Sequence, residues 1–593
     1  MPPHTDDPIR RQTLFWLAAT AIVLLLGIGL RYPWPADEPR FAQVAREMVE
    51  SGQWLFPTRG GEYYPDKPPV FMWLSALFFQ LVGNLKLSFL LPSVLASIGT
   101  LWLVHDLGRR LWNPQTALFA VLVLAFTPQF LLQGKAAQID ALVTFWITLG
   151  CYGLLRHFLT GPHWRWYFVS WVAMGLGIMT KGVGFLPLLM LLPLALWSHA
   201  LPPCAAPRLP PEGGTAPAAR QSRFRGACWS WRLLLGLPVM LAVIALWLGP
   251  MLWQVHSVGT DTMVAYRNDL LFRQTGERFV NAWHHVKPWH YFFTQAIPVV
   301  WFPLPIIMLV LIKPLVALLR QDAKLRVLLA WVGLVLLFFS ISSGKREVYI
   351  FPALPMLSLV VAVLWVNGRE LPLAKRLDGF FRWLMPGIAA FLTGLGLLMW
   401  LAPERLPGKL QDYADIVNAV AAPLTGLGVA LIAVLLWLRR SDLFVRLAAA
   451  SLVGWLFVAL LVWPRVDPYR TPQDMMQAVE QHLPPGAELG LIAFKEQFLL
   501  FSQRPLTHFS YLAPLLQQEQ NAWIWMREAP NRHLLVPTDG ELGCFDVSRA
   551  VSLGEAHRRE WVLLGPDAVR PTCGTPARLQ RFHYQPVTNG VLP

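Results

Sequence analysis

Apolar runs separated by short polar stretches recur from residue 13 to residue 463 of this 593-residue chain. Runs of about 18–25 residues match the roughly 30 Å hydrocarbon core of a bilayer, which an α-helix crosses while satisfying its own backbone polar groups. With 55% hydrophobic and only 14% charged residues, the chain lacks the charge a soluble protein of this size needs at its surface. The class is therefore an α-helical polytopic membrane protein. Spans are expected near 13–30, 86–107, 115–133, 139–158, 164–180, 183–200, 232–250, 290–312, 325–342, 348–367, 379–401, 418–438 and 446–463, about thirteen in all. No internal repeat of 20–50 residues is visible, which argues against a solenoid.

The first run, "TLFWLAATAIVLLLGIGL", follows Arg10 and Arg11 and is not followed by a small-x-small cleavage pattern, so it reads as a retained signal anchor. The formal net charge is +15, but the basic residues concentrate in alternate loops: Arg109/Arg110, Arg156/Arg165, Arg208 to Arg225, Lys313 to Arg326, Lys375 to Arg382 and Arg439 to Arg446. That alternation orients a membrane protein, with the N-terminus cytoplasmic, and calls for no nucleic-acid partner. The run "PPVFMWLSALFFQLVG" (68–83) is too short to span comfortably and opens on two prolines. Counting it as a span would invert every later basic loop, so it reads as an interfacial helix within a loop at 31–85.

The membrane part is expected to occupy 1–465, and a soluble α/β domain 466–593, outside the membrane. In the latter, "TPQDMMQAVEQHL" is helical with Thr471 at its cap, and "ELGLIAF", "HLLVPT" and "EWVLLG" are strands with a helix over "PLLQQEQNAWIWMREA". No glycine-rich phosphate loop opens a helix there, so no nucleotide is expected. Of the five cysteines, Cys544 and Cys573 alone form a pair in the compartment that permits disulfides, and a bond between them is expected. Cys151 belongs to a span, and Cys204 and Cys228 to the Pro/Ala/Gly-rich inner loop and its flank.

The ionisable residues gather on one face of this topology. They are Asp37, Glu38, Tyr63, Tyr64, Asp66 and Lys67 in the first loop; Lys135, Gln138 and Asp140 in the next turn; and Lys181 at a span end. The loop 251–290 adds Arg267, Arg273, Arg278, His284, His285 and Lys287, and "SSGKREVY" adds Lys345, Arg346 and Tyr349. Ion-coupled transporters place carboxylates near mid-bilayer. Charges converging at a headgroup level fit an enzyme acting on a lipid-linked substrate better, with a flippase or transporter of lipid-linked sugars as the alternative class. Arg and Lys suit a phosphate. A polyprenyl-phosphate sugar carries one, and fixed cations stabilise the charge that grows on it as the glycosyl bond breaks. A carboxylate beside it can position the acceptor, take its proton or hold a metal ion.

The segments "ADEPRFAQVAREM", "GEYYPDKPPVFMWL", "AAQIDALVTFW", "IMTKGVGFLPLL" and "SSGKREVYIFPALP", in this order and spacing, resemble the membrane-embedded glycosyltransferases of the GT-C class. The likeness is to the branch holding the lipid A aminoarabinose transferases and protein O-mannosyltransferase-like enzymes (glycosyltransferase families 83 and 39), and it covers residues 10–365 best. It implies inverting transfer from an undecaprenyl-phosphate sugar to lipid A or a similar envelope glycolipid, at the periplasmic face of a bacterial inner membrane; a protein or another glycan is the alternative acceptor. It makes Asp37 the principal catalytic carboxylate, with Glu38 beside it and Asp140 as a second acidic site. The substrate-binding set becomes Tyr64, Lys67, Lys181, Arg273, Lys345, Arg346 and Tyr349, with Lys67, Arg273 and Lys345 on the donor phosphate and the two tyrosines lining the cavity. His285 matches a position that can join a divalent cation; its expected partner is a Glu before the loop lysine, and here that residue is Asp66.

Each residue also has a plainer reading. Glu38 before Pro39 suits a helix cap, Asp66–Lys67 an interfacial ion pair, Lys181 a snorkelling lysine, His284–His285 surface packing, and Tyr64 and Tyr349 an interfacial aromatic belt.

Overall fold

The computed structural model describes residues 7–201, 228–272, 286–407, 411, 413–540, 542–557 and 559–585. Among them, eight helices are long and apolar enough to cross a membrane, or ten when each of two bent pairs counts as one span. The other three expected stretches are helical but shorter or more charged: Asp7–Leu25 contains Arg10 and Arg11, Trp164–Lys181 contains Arg165 and Lys181, and Val183–Met190 is a 3-10 stretch continued by Leu191–Leu196. The bent pairs have a local cause. Pro114–Phe126 and Pro128–Gly134 meet at 71° where Pro128 interrupts the run, and Phe292–Val300 and Leu304–Val310 meet at 105° around Pro303. The segment expected to lie at the interface is the 13-residue helix Val70–Val82, about 20 Å long at 1.5 Å per residue.

Among the described residues, loops that the charge pattern assigns to one side make contact with one another. Arg109 and Arg110 pair with Asp106, which also accepts from Tyr152; the Trp112 indole donates to Asp322 at 2.6 Å; and Lys324 donates to the Leu111 carbonyl at 2.5 Å. Arg446 reaches across to Asp378, and Arg382 donates to the Arg439 carbonyl.

The opposite end carries two small sheets. β1 (Thr58–Arg59) and β2 (Glu62–Tyr63) form a hairpin. β3 (Glu488–Leu491), β4 (Leu506–His508), β5 (Arg532–Pro537), β6 (Val551–Ala556), β7 (Arg559–Leu564) and β8 (Phe582–Tyr584) form a mixed sheet of order β6-β7-β5-β3-β4-β8. Its centre is parallel, β4-β3-β5, and its edges are antiparallel. Side chains alternate between two cores: Leu535, Trp561 and Leu563 face Val479 and Phe498, while Leu534, Val536, Val562 and Leu564 face Trp525 and Phe545. The three expected strands are present. β4, β6 and β8 were not expected, because none has the apolar run that marked the others. The helix Gln473–His482 follows Pro472, and Thr471 does not cap it; its hydroxyl donates instead to the Asp467 carbonyl at 3.1 Å. The expected disulfide is formed, with the Cα atoms of Cys544 and Cys573 5.0 Å apart.

Candidate active site

Pro39 occupies the first turn of the helix Glu38–Ser51, and Gly52, in the left-handed region at φ 69°, ends it. By sequence this helix is amphipathic, yet Gln43, Arg46 and Glu47 are as buried as Phe41 and Val44. Its apolar face packs on Phe71 of the helix Val70–Val82, and its polar face meets the C-terminal sheet region. Glu47 accepts from Gln43, from Thr58 at 2.7 Å and from the amides of Gly60 and Gly61 at 2.5 and 3.0 Å. Both glycines have positive φ, as a two-residue hairpin turn requires, and a Cβ on Gly60 would lie 2.6 Å from the His508 ring.

Glu38 is enclosed. Arg31 donates to both of its oxygens at 2.5 and 2.7 Å, and the amides of Trp34 and Ala137 donate at 2.8 and 2.9 Å. Arg31 also reaches the Lys135 carbonyl, and the Lys135 ammonium donates to Leu26 O. A buried charge needs such partners. Glu38 thus staples the first loop to the turn before Asp140, and its oxygens have no capacity left for a substrate. That geometry replaces both the catalytic and the capping expectation.

Asp37 is placed differently. It holds the cap position, but its side chain makes no capping bond. Arg40 and Arg346 each approach it to 3.8 Å, beyond hydrogen-bond range, and about a quarter of its side chain is exposed. Arg346 follows Gly344 and Ser342, which line a cavity of about 580 Å³. Asp66, Lys67, Asp140, Lys181 and Tyr349 line the same cavity, whose remaining walls are largely apolar and include Ile244, Leu248, Leu271 and Phe338. Asp140, in the first turn of Ile139–Thr160, is ion-paired with Lys181, whose ammonium also lies 4.9 Å from the Tyr349 ring centroid.

Two described members of the expected set fall elsewhere. Lys345 is buried and donates to the carbonyls of Lys287 and Ser342, so it holds the loop; its exposed neighbour Arg346 is the cation directed at Asp37. Tyr64 is fully buried and does not line the cavity; burial, followed by the Asp66 charge, pushes its hydroxyl pKa up against the opposing effect of Arg40. Arg273 and His285 lie outside the described residues, as do Arg278, His284 and Cys204. Asp66 is therefore the one described member of the expected cation pair, and among the described residues no three His, Cys, Asp or Glu side chains cluster as metal ligands do.

Two further charged residues, Arg40 and Glu496, meet at the site. Arg40 had a signal in the sequence, since it stands three residues after Asp37 on a helix and so on the same face. Glu496 had none. It comes from the C-terminal region, is fully buried, and pairs with Arg59 at 3.1 Å and Arg40 at 3.6 Å. Its two arginines hold its pKa below the usual carboxylate range although burial alone would raise it.

The chain is similar in sequence and fold to known proteins. Residues 66–210 match the family model described as dolichyl-phosphate-mannose-protein mannosyltransferase. An undecaprenyl phosphate-alpha-4-amino-4-deoxy-L-arabinose arabinosyl transferase of Pectobacterium carotovorum is 27% identical over 405 residues, 66% of each chain. The protein of the same description in Pseudomonas aeruginosa is 28% identical over 478 residues, 76% of each chain. The alignments to the Pectobacterium relatives thus span just under two thirds of those proteins. The crystal structure of ArnT from Cupriavidus metallidurans bound to undecaprenyl phosphate superposes with a TM-score of 0.69 at 18% identity, covering 96% of this chain and 100% of that one. The fold is that of the GT-C class of polytopic membrane proteins, with a C-terminal sheet region. Within that class, the chain is aminoarabinose-transferase-like in sequence.

Proposed function

We propose that this protein is a glycosyltransferase of a bacterial inner membrane that moves a sugar from an undecaprenyl-phosphate donor to lipid A or a similar envelope glycolipid. The basic end faces the cytoplasm, and the cavity and C-terminal sheet face the periplasm. The observation that carries this reading is the pairing of an uncapped, incompletely bonded Asp37 with a largely apolar cavity lined by Lys67. In the reaction, an acceptor oxygen forms its bond to the anomeric carbon from the face opposite the phosphate. The bond from that carbon to the phosphate oxygen breaks, and the polyprenyl phosphate leaves with the electron pair. Inversion follows from the single displacement. Asp37 orients the acceptor and, where the acceptor is a hydroxyl, takes its proton. Lys67 and Arg346 stabilise the charge that grows on the departing phosphate, the kind of contact whose removal costs about 10²–10³-fold in rate. Lys181 holds Asp140 in the cavity wall, and the apolar wall takes the prenyl chain. A divalent cation held by Asp66 and His285 would add charge at the phosphate; chelation followed by a transfer assay tests that part separately.

Mass spectrometry of envelope lipids with and without the protein tests the whole reading. A sugar present on one lipid only when the protein is made names donor and acceptor together, and identical lipid profiles refute the reading. Orientation has its own test. A single cysteine at Tyr413, which is 60% exposed, should react with an impermeant thiol reagent on intact cells, and one at Arg440 should not.

A further inference from the structure

Arg40 is shared between two carboxylates from opposite ends of the chain. Its Nη1 lies 3.8 Å from Asp37 and its Nε 3.6 Å from Glu496, and neither contact closes into a hydrogen bond. Glu496 is itself fixed. It is fully buried, and it takes both Nε and Nη2 of Arg59, whose guanidinium stacks over the rings of Tyr511 and Phe494 at 4.4 and 5.3 Å. The clamp reaches further along the same surface. Ser510 and the Tyr511 amide hold Glu62, the Tyr511 hydroxyl donates to Tyr63 O, His508 bonds Gly60 O, and Tyr584 donates to Glu50. The sheet region therefore does more than sit on the membrane bundle. It supplies a second carboxylate to Arg40, one of the two arginines within 4 Å of Asp37.

We propose that Glu496 is a positioning residue for the transfer reaction, acting through Arg40: it draws the Arg40 guanidinium back from Asp37 and so leaves that carboxylate open to the acceptor. Arginine and carboxylate frequently pair through a two-bond fork. Here the second carboxylate holds Arg40 off that pairing with Asp37, anchored by Arg59 so that it cannot follow. The charged and titratable groups around this chain are Arg346 at Asp37, Tyr64 and Asp66 at Arg40, and Arg59, Lys495 and His557 at Glu496. Among the described residues, Asp37 and Glu496 are the carboxylates within 4 Å of the Arg40 guanidinium. The inference rests on Asp37 being the catalytic carboxylate.

The test is a double-mutant cycle on the full chain in proteoliposomes, with a polyprenyl-phosphate sugar as donor and thermal unfolding measured in parallel. Glu496→Gln should lower kcat roughly 10-fold with the donor KM within about two-fold, because the donor phosphate contacts are untouched. In an Arg40→Gln background, with no guanidinium to collapse, the same substitution should add little; effects that multiply across the cycle would overturn the proposal. Should Glu496→Gln fail to accumulate, Glu496→Asp decides: it keeps the charge but sets it one methylene back, and a kcat loss that Arg40→Gln abolishes supports the proposal, whereas unchanged kcat refutes it. Asp37→Asn, run alongside, separates the two levels. Retained transfer in that variant defeats the catalytic reading and this inference with it, while an inactive Asp37→Asn beside a Glu496→Gln that behaves additively defeats this inference alone.

Discussion

At the basic end of the bundle Asp106 accepts from Arg109 at 3.1 Å, Arg110 at 2.5 Å and Tyr152 at 2.6 Å, and Asp322 accepts from Trp112 and from the Lys324 amide. At the cavity end Asp37 has two arginines within 4 Å and a hydrogen bond to neither. Both regions concentrate charge at a helix end, and both pair acids with bases. They differ in saturation. A carboxylate that ties helices together uses its lone pairs inside the fold, because a buried charge left short of partners costs several kcal/mol. A carboxylate meant for a substrate has to keep some of that capacity, and can do so only where water reaches it. Glu38 sharpens the contrast, since it adjoins Asp37 in sequence but has the bonding of Asp106.

The strongest way to break this comparison is Asp37→Asn. Transfer should fall by roughly 10²–10⁴-fold, the usual range for a positioned acid–base group, with the thermal midpoint unchanged. Asp106→Asn should do the reverse, lowering the amount of folded protein while each folded molecule keeps its activity. If both variants behave alike in a transfer assay normalised to folded protein, saturation does not distinguish the two regions.

Glu38→Gln comes next. It leaves the buried Arg31 without its counter-charge, and stability should drop by about 3–5 kcal/mol, read from unfolding in detergent. An unaltered midpoint together with lost transfer would return Glu38 to the chemistry.

The junction between the two sheets should respond to pH. His508 is fully buried, its Nε2 lies 2.7 Å from Gly60 O, and its pKa is lowered to about 4, chiefly by burial. The unfolded chain then binds a proton at pH values where the folded protein keeps this ring neutral. Stability contributed here is intact above about pH 6.5, falls as pH drops towards 4, and levels off below, a loss of about 3 kcal/mol at most. Unfolding followed between pH 7 and 4 checks the sign, and His508→Gln should flatten that slope. No comparable slope should come from Asp106→Asn, which lies at the other end.

The smallest effect belongs to Arg109→Ala. Its side chain is 52% exposed and Asp106 keeps two other donors, so the change should stay within about 0.5 kcal/mol. A larger loss would mean that the basic end depends on its exposed charges as well as its buried ones.

Much of this architecture is local in sequence and was legible there. An apolar run long enough for a bilayer reads as a helix wherever it lies, so each expected span is helical. The described basic loops gather at one end, and Val70–Val82 forms a short helix for the same reason that its run is short. The prolines at 128 and 303 break their helices, but how sharply depends on the packing around them. The C-terminal sheet region, three of its strands and the Cys544–Cys573 bond also followed from patterns within a few dozen residues. β4, β6 and β8 did not, because short edge and pairing strands are defined by their neighbours in the sheet rather than by their own composition.

At the site, sequence placed Asp37, Asp66, Lys67, Asp140, Lys181 and Tyr349 near one another, and the structure gathers the last five around one cavity with Asp37 joined to it through Arg346. The resemblance put Asp37 before Glu38 and Lys345 on the phosphate, but residue type and spacing alone could not tell Asp37 from Glu38, or Lys345 from Arg346. Each pair is adjacent and alike in charge, and what separates them is which one the fold surrounds with donors or carbonyls. Nor could sequence reveal that Arg59 meets Glu496, 437 positions away. Residue types and periodicity decide which segments are helix, strand or membrane span. Which charges are saturated and which stay open is decided only when distant segments pack together.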